Sequence, residues 1–177
     1  MRLDETPGGR ITLMFTDIEG FTAYAASRGD RAAMGLLRHH DAAVLPAIRH
    51  YGGRIVKRLG DGLMVAFDRP ADALAAGLAI QGAVARRSRV RLRIGIHAGR
   101  ACAREGDLVG HDVNVAARIA ERAAGSQVLV SDAVRRAAAR IPATFRKTRS
   151  LAIEGRERMV LFSAEGAAPG VQPPRRP

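Results

Sequence analysis

At 177 residues, with apolar side chains at 47% and charged ones at 26%, the chain suits a single folded domain and excludes wholesale disorder. Its 29 basic side chains outnumber 17 acidic ones, a net charge of +12 that favours a polyanionic partner such as nucleic acid, phospholipid or nucleotide phosphate. The lone Cys102 excludes an intrachain disulfide, and no run approaches the roughly 20 apolar residues of a membrane span, so a protein of the reducing cytoplasm is expected.

Residues 1–9 read as a Gly- and Pro-containing lead-in, and Arg10 to Thr16 as a first strand. Gly20 breaks that run. Met34, Leu37, Leu45 and Ile48 then recur at helical spacing from Asp30, placed to cap, to Tyr51, before the Gly52-Gly53 stop; Pro46 lies within. Two short apolar runs, Arg54 to Leu59 and Leu63 to Phe67, flank Gly60-Asp61-Gly62, where an Asp-Gly pair supplies the positive φ of a tight hairpin. Asp61 is therefore expected at a hairpin tip.

Ala71 to Arg87 carries a small-residue helical stripe at Ala73, Gly77, Ile80 and Val84. Val90, Leu92, Ile94 and Ile96 alternate with Arg89, Arg91, Arg93 and Gly95, predicting a strand with one apolar and one basic face. A polar connection, Arg104 to Asp107, leads to a helix over Asp112 to Ala124. Short strands follow at Gln127 to Val130, Phe145 to Leu151 and Arg158 to Ser163 around a helix at Asp132 to Arg140, and residues 165–177 read as a disordered tail. Strand, helix, hairpin, helix, strand is a ferredoxin-like βαββαβ order: an α+β domain over residues 10–164, its sheet rich in antiparallel pairs with helices packed on one face.

Asp17 closes the first strand. If that strand neighbours the hairpin, Asp17 and Asp61 converge, and paired carboxylates suit a hard cation such as Mg²⁺ that takes its other ligands from water and phosphate. Taken singly, each aspartate is as well accounted for by a turn or a cap. The bend from Ile18 to Thr22 offers backbone N–H groups to phosphate oxygens. Asn114 and Arg118, four apart, project from one helix face about 6 Å apart along the axis. That pair suits a nucleotide's ribose and phosphate, or simply a solvated surface. Lys57 alone fits a strand-edge lysine that blocks edge pairing.

Four motifs standing in order resemble the catalytic domain of class III nucleotidyl cyclases, in particular the bacterial adenylyl cyclases. They are Phe15-Thr16-Asp17-Ile18-Glu19-Gly20-Phe21-Thr22, Lys57-Arg58-Leu59-Gly60-Asp61-Gly62, Arg93-Ile94-Gly95-Ile96-His97, and Asp107 through Arg118. The resemblance implies two divalent cations, Mg²⁺ or Mn²⁺, held by Asp17, Asp61 and the Ile18 carbonyl. It also implies adenine read by Lys57 and Asp107, a triphosphate held by Arg93 and by Gly20, Phe21 and Thr22, and a transition-state pair in Asn114 and Arg118. An ammonium matches the N1 acceptor of adenine and a carboxylate its N6 donor, whereas guanine presents the opposite pattern there.

The implied reaction converts ATP to cyclic AMP and pyrophosphate. It runs in a homodimer whose two sites are each shared between subunits. The short stretch from Cys102 to Asp107 implies a reduced dimerisation arm, and Leu151 to Leu161 lacks the family's phosphate-holding lysine, leaving Arg156 or Arg158 to substitute. Two other functions fit the composition: a silent nucleotide-binding or dimerisation module of the same fold, and a nucleic-acid-binding domain. With aromatics at only 4%, the last has little for base stacking.

Overall fold

The computed structural model describes residues 9–87, 90–153 and 158–166. Its elements run β1 (Gly9–Ile18), α1 (Phe21–Arg28), α2 (Asp30–His50), β2 (Arg54–Leu59), β3 (Gly62–Phe67), α3 (Pro70–Arg87) and β4 (Leu92–Arg104). β5 (Asp107–Val109), α4 (His111–Arg122), β6 (Gln127–Ser131), α5 (Asp132–Ala137), β7 (Ala143–Leu151) and β8 (Met159–Gly166) complete the chain. The sheet order is β2-β3-β1-β4-β6-β8-β7, with β5 paired to the end of β4. Among the described residues β4 and β6 pair in parallel and the other pairings are antiparallel. This is the expected α+β domain.

Helices cover both faces of the sheet, not one. Met14 and Ile18 of β1 pack with α2, α3 and α5 in the larger core, whereas Ile11, Leu13 and Phe15, on the opposite face, pack with Val113, Ala116 and Ala120 of α4. The reason lies in the strands themselves: residues 11 to 16 of β1 and all of β3 are buried on both faces, which demands a cover on each side. Among the described residues, the expected basic face of the β4 stretch is present only at its start, where exposed Arg91 pairs with Glu19 and part-buried Arg93 pairs with Asp17; from Gly95 onward that face is covered. Gly95 lies directly beneath α4, where a Cβ would come within 2.2 Å of the Ala120 amide nitrogen, and His97 is buried. Arg89 lies outside the described residues.

Three local expectations are revised. The bend after Ile18 continues into a two-turn helix, α1, which starts after Gly20 in a left-handed conformation (φ 75°). The hairpin tip takes its positive φ at Gly60 (63°), with Leu59 paired to Gly62, so glycine serves the first turn position rather than following the aspartate. The polar connection before α4 is a second hairpin: β4 runs on to Arg104 and returns as β5 through Glu105 and Gly106, both at positive φ (52° and 79°).

Smaller shifts occur at element ends. α4 begins at His111 and α5 stops at Ala137. Gly9 opens β1, while Glu165 and Gly166 extend β8; the remainder of the expected tail lies outside the described residues, as does Arg156.

Candidate active site

The fold brings Asp17 and Asp61 together at one end of the sheet. β1 is central, flanked by β3 on one side and β4 on the other. Thr16 pairs with Leu63, so the tip between β2 and β3 stands beside the end of β1, and the Asp61 carboxylate accepts the Ile18 amide at 3.0 Å. Burial pushes the Asp17 carboxyl above the usual range, and the neighbouring Asp61 charge pushes it further, against the pull of Arg93. Arg93 stands opposite Asp17 in the β1–β4 register, and its guanidinium forms an ion pair with that carboxylate.

A hydrogen-bonded network, buried at His40 and Thr16 and open to solvent at Arg58, braces this corner. His40 of α2, 2% exposed, has Nδ1 at 3.1 Å from Asp41 Oδ1, and a carboxylate only accepts, so Nδ1 carries the proton. Nε2 then faces the Thr16 hydroxyl at 3.5 Å as an acceptor, while Thr16 Oγ1 accepts the Leu63 amide at 3.1 Å. Arg58, on the hairpin, closes the chain onto Asp41 at 3.0 Å. Burial lowers the His40 pKa, which agrees with a neutral ring accepting at Nε2. None of these links was expected from the sequence; the adjacent His39 and His40 carry no spacing signal, and only the register of α2 separates the exposed ring from the buried one.

Lys57 and Asp107 also meet. Lys57 follows a bulge at Val56 in β2, and its Nζ donates to Asp107 Oδ2 at 2.6 Å across to β5. The bond from Lys57 holds the Asp107 carboxyl below its usual range, and the Leu108 amide, 2.7 Å from Oδ1, adds to that. Both side chains remain partly exposed, at 40% and 35%. They are accessible to a ligand edge.

Asn114 and Arg118 sit on α4 and are exposed. Among the described residues neither side chain has a hydrogen-bond or ion-pair partner, though neighbours on the same helix, Val113, Val115, Ala116 and Ile119, are buried. Gly20, Phe21 and Thr22 form the N-cap and first turn of α1, a few residues past Asp17. Arg158 donates from Nε to Ser150 Oγ at 2.9 Å.

The oxygen donors at Asp17 and Asp61 fit a hard divalent cation, because one carboxylate raises the other's pKa and a cation between them relieves that repulsion. No group of three or more His, Cys, Asp or Glu side chains able to hold a metal occurs among the described residues. Two carboxylates suffice for Mg²⁺, which keeps waters and takes substrate phosphates as its remaining ligands.

Comparison with known proteins follows the same line. Among solved structures, the adenylyl cyclase CyaB from P. aeruginosa superposes with a TM-score of 0.81 at 21% identity, covering 95% of this chain and all of that one. The guanylyl cyclase Cya2 gives 0.80 at 23%, covering 93% and 95%. By sequence, the serine/threonine-protein kinase pkn2 of Myxococcus xanthus is 29% identical over 90% of this chain and 20% of its own length. The putative adenylate cyclase 3 of Rhizobium meliloti is 35% identical over 50% of this chain and 16% of its own. The chain thus spans about a fifth or less of these two relatives. No helix among the described residues is long and apolar enough to cross a membrane. Residues 3–166 match the profile of the adenylate and guanylate cyclase catalytic domain, and the chain belongs to that family, the class III nucleotidyl cyclases.

Proposed function

We propose that this domain is a cytoplasmic adenylate cyclase, turning ATP into 3′,5′-cyclic AMP and pyrophosphate at sites shared between two copies of the chain. The observation that carries the choice of base is the Lys57–Asp107 pair: a donor-only ammonium beside an acceptor-only carboxylate, 2.6 Å apart and open to solvent. An adenine edge offers the matching acceptor at N1 and donor at N6. Guanine would place donor against donor and acceptor against acceptor, each leaving a polar group unpaired at a cost of about 1–3 kcal/mol.

Asp17, Asp61 and the Ile18 carbonyl would hold two divalent cations, Mg²⁺ or Mn²⁺. Such ions, when bound, lower the pKa of the ribose 3′-hydroxyl and neutralise phosphate charge. The chain's own residues do the rest. Arg93 and the backbone amides of Gly20, Phe21 and Thr22 grip the triphosphate, and Asn114 orients the ribose so that its 3′-oxygen lies in line with the α-phosphorus. Arg118 donates to the α-phosphate as charge develops there, and a preorganised donor of this kind is typically worth on the order of 100- to 1,000-fold in rate. In-line attack forms the new O–P bond and expels pyrophosphate.

Two observations support sharing between subunits. Asn114 and Arg118 face outward with no side-chain partner among the described residues, and the chain carries both the carboxylate pair and the base-reading pair. A two-fold dimer repeats every contact, so one interface completes two sites. The direct test is to incubate the protein at high concentration with Mn²⁺ and either ATP or GTP and separate the products. Cyclic AMP from ATP, in excess over cyclic GMP from GTP, is expected; neither product would leave a silent nucleotide-binding module.

A further inference from the structure

The geometry points to Asp112, backed by His97 and Ser131, as a positioning residue that seats the first turn of α4 on β4 and so sets where Asn114 and Arg118 stand. The assignment rests on the cyclase reading above. Asp112 is the second residue of α4, whose N-cap, Gly110, offers no side chain to the free amides. A carboxylate in a first turn ordinarily serves its own helix. Here it turns away: Oδ2 accepts the Arg100 amide of β4 at 2.7 Å, and Oδ1 lies 3.6 Å from His97 Nε2.

The space is built for that contact. A Cβ on Gly99 would sit 2.4 Å from Asp112 Oδ2, so only glycine lets the carboxylate reach the strand. His97 is 5% exposed and Ser131 1%. Nδ1 is hydrogen-bonded to the Ser131 hydroxyl at 2.9 Å, while Nε2 faces the Asp112 carboxylate from 3.6 Å, a contact of packing and charge, not a hydrogen bond. The serine hydroxyl is thus spent on holding the ring, and its burial bars it from acting as a nucleophile. Through this chain α4 is tied to β4 and, at the end of β6, to the strand parallel to it. Asn114 follows Asp112 by two residues and Arg118 by six on the same rigid helix, which rises about 1.5 Å per residue. Any shift of the first turn is carried to both.

The test compares Asp112→Ala and Asp112→Asn with the unaltered protein by steady-state kinetics and by hydrogen exchange at the amides of Arg100 and residues 113–118. Asp112→Ala should lower kcat on the order of 100-fold, the cost of a misplacement near 1 Å, with KM for ATP changing less than about threefold. Its Arg100 and α4 amides should exchange faster. Asp112→Asn keeps an oxygen acceptor for the Arg100 amide and should recover most of the rate, which a residue needed only for folding through its charge would not do. An unchanged kcat in Asp112→Ala, or a rate loss matched by the loss of folded protein, would overturn the positioning role. Absence of product with the unaltered protein would instead overturn the cyclase reading, and exchange alone would then decide whether Asp112 ties α4 to β4.

Discussion

Arg93 and Asp17 face each other across the β1–β4 ladder and are joined by an ion pair, so a fixed cation stands at the carboxylate that Asp61 adjoins. The guanidinium and a divalent cation compete for one oxygen donor set. Arg93→Gln is therefore expected to bind Mn²⁺ more tightly in the absence of nucleotide, on the order of tenfold for about 1.4 kcal/mol of removed competition. ATP turnover should fall, because the triphosphate loses its arginine. Electron paramagnetic resonance of free Mn²⁺ reads the first effect, and unaltered or weaker binding in the variant would mean that the ion pair does not oppose the metal.

Subunit sharing makes a sharper prediction. Asp17→Ala and Arg118→Ala should each be inactive alone, yet an equimolar mixture should recover about one quarter of the normal activity, since random pairing gives half heterodimers with one intact site of two. Native mass spectrometry establishes that mixed dimers form. No recovery in their presence would place all catalytic groups of a site on one subunit.

Selection of adenine should reside in the Lys57–Asp107 pair. Replacing it by Lys57→Glu with Asp107→Cys should lower kcat/KM for ATP on the order of 100-fold, since two base-reading hydrogen bonds are lost at about 1–3 kcal/mol each. The double variant's relative use of GTP should rise. An ATP to GTP ratio that stays at its original value would assign base selection to other side chains.

The buried His40 makes stability fall in acid. Its folded-state pKa lies below the ordinary value of about 6.5, so above that pH both folded and unfolded chains carry it neutral. Below it the unfolded chain takes up a proton that the folded chain refuses, and stability is lost until the folded-state pKa is reached. Asp17 slopes the other way, because its raised carboxyl pKa favours the fold as that group protonates. Thermal melts of the unaltered protein and of His40→Asn, taken between pH 7.5 and roughly 5, separate the two. The variant should have the flatter profile, and parallel profiles would remove His40 from the account.

Local periodicity carried most of the element list: a helix from Asp30, a hairpin bracketing Asp61, the alternating strand after Val90 and a helix bearing Asn114 and Arg118 all occur where spacing placed them. α1 escaped because its eight residues, FTAYAASR, bury none of their side chains and so carry no apolar stripe. β5 escaped because three residues show no period; the Glu-Gly turn was the signal present. The second sheet face reads as basic along its length because the arginines at 91 and 93 do reach solvent, and nothing in the alternation shows that α4 covers the strand from Gly95 onward.

The sequence by itself determined which residues could act, since an aspartate at a strand end, a lysine before a hairpin and an Asn/Arg pair four apart are chemical facts about the chain. Tertiary structure alone decided which of them meet. Asp17 and Asp61 are 44 positions apart, and Lys57 and Asp107 are 50 apart; only the sheet order, with β1 between β3 and β4 and β5 turned back toward β2, brings each pair within reach. Charge interactions fall off with distance and depend on burial, so the raised Asp17 carboxyl, the lowered Asp107 and the neutral His40 are properties of that packing and of no shorter stretch of chain.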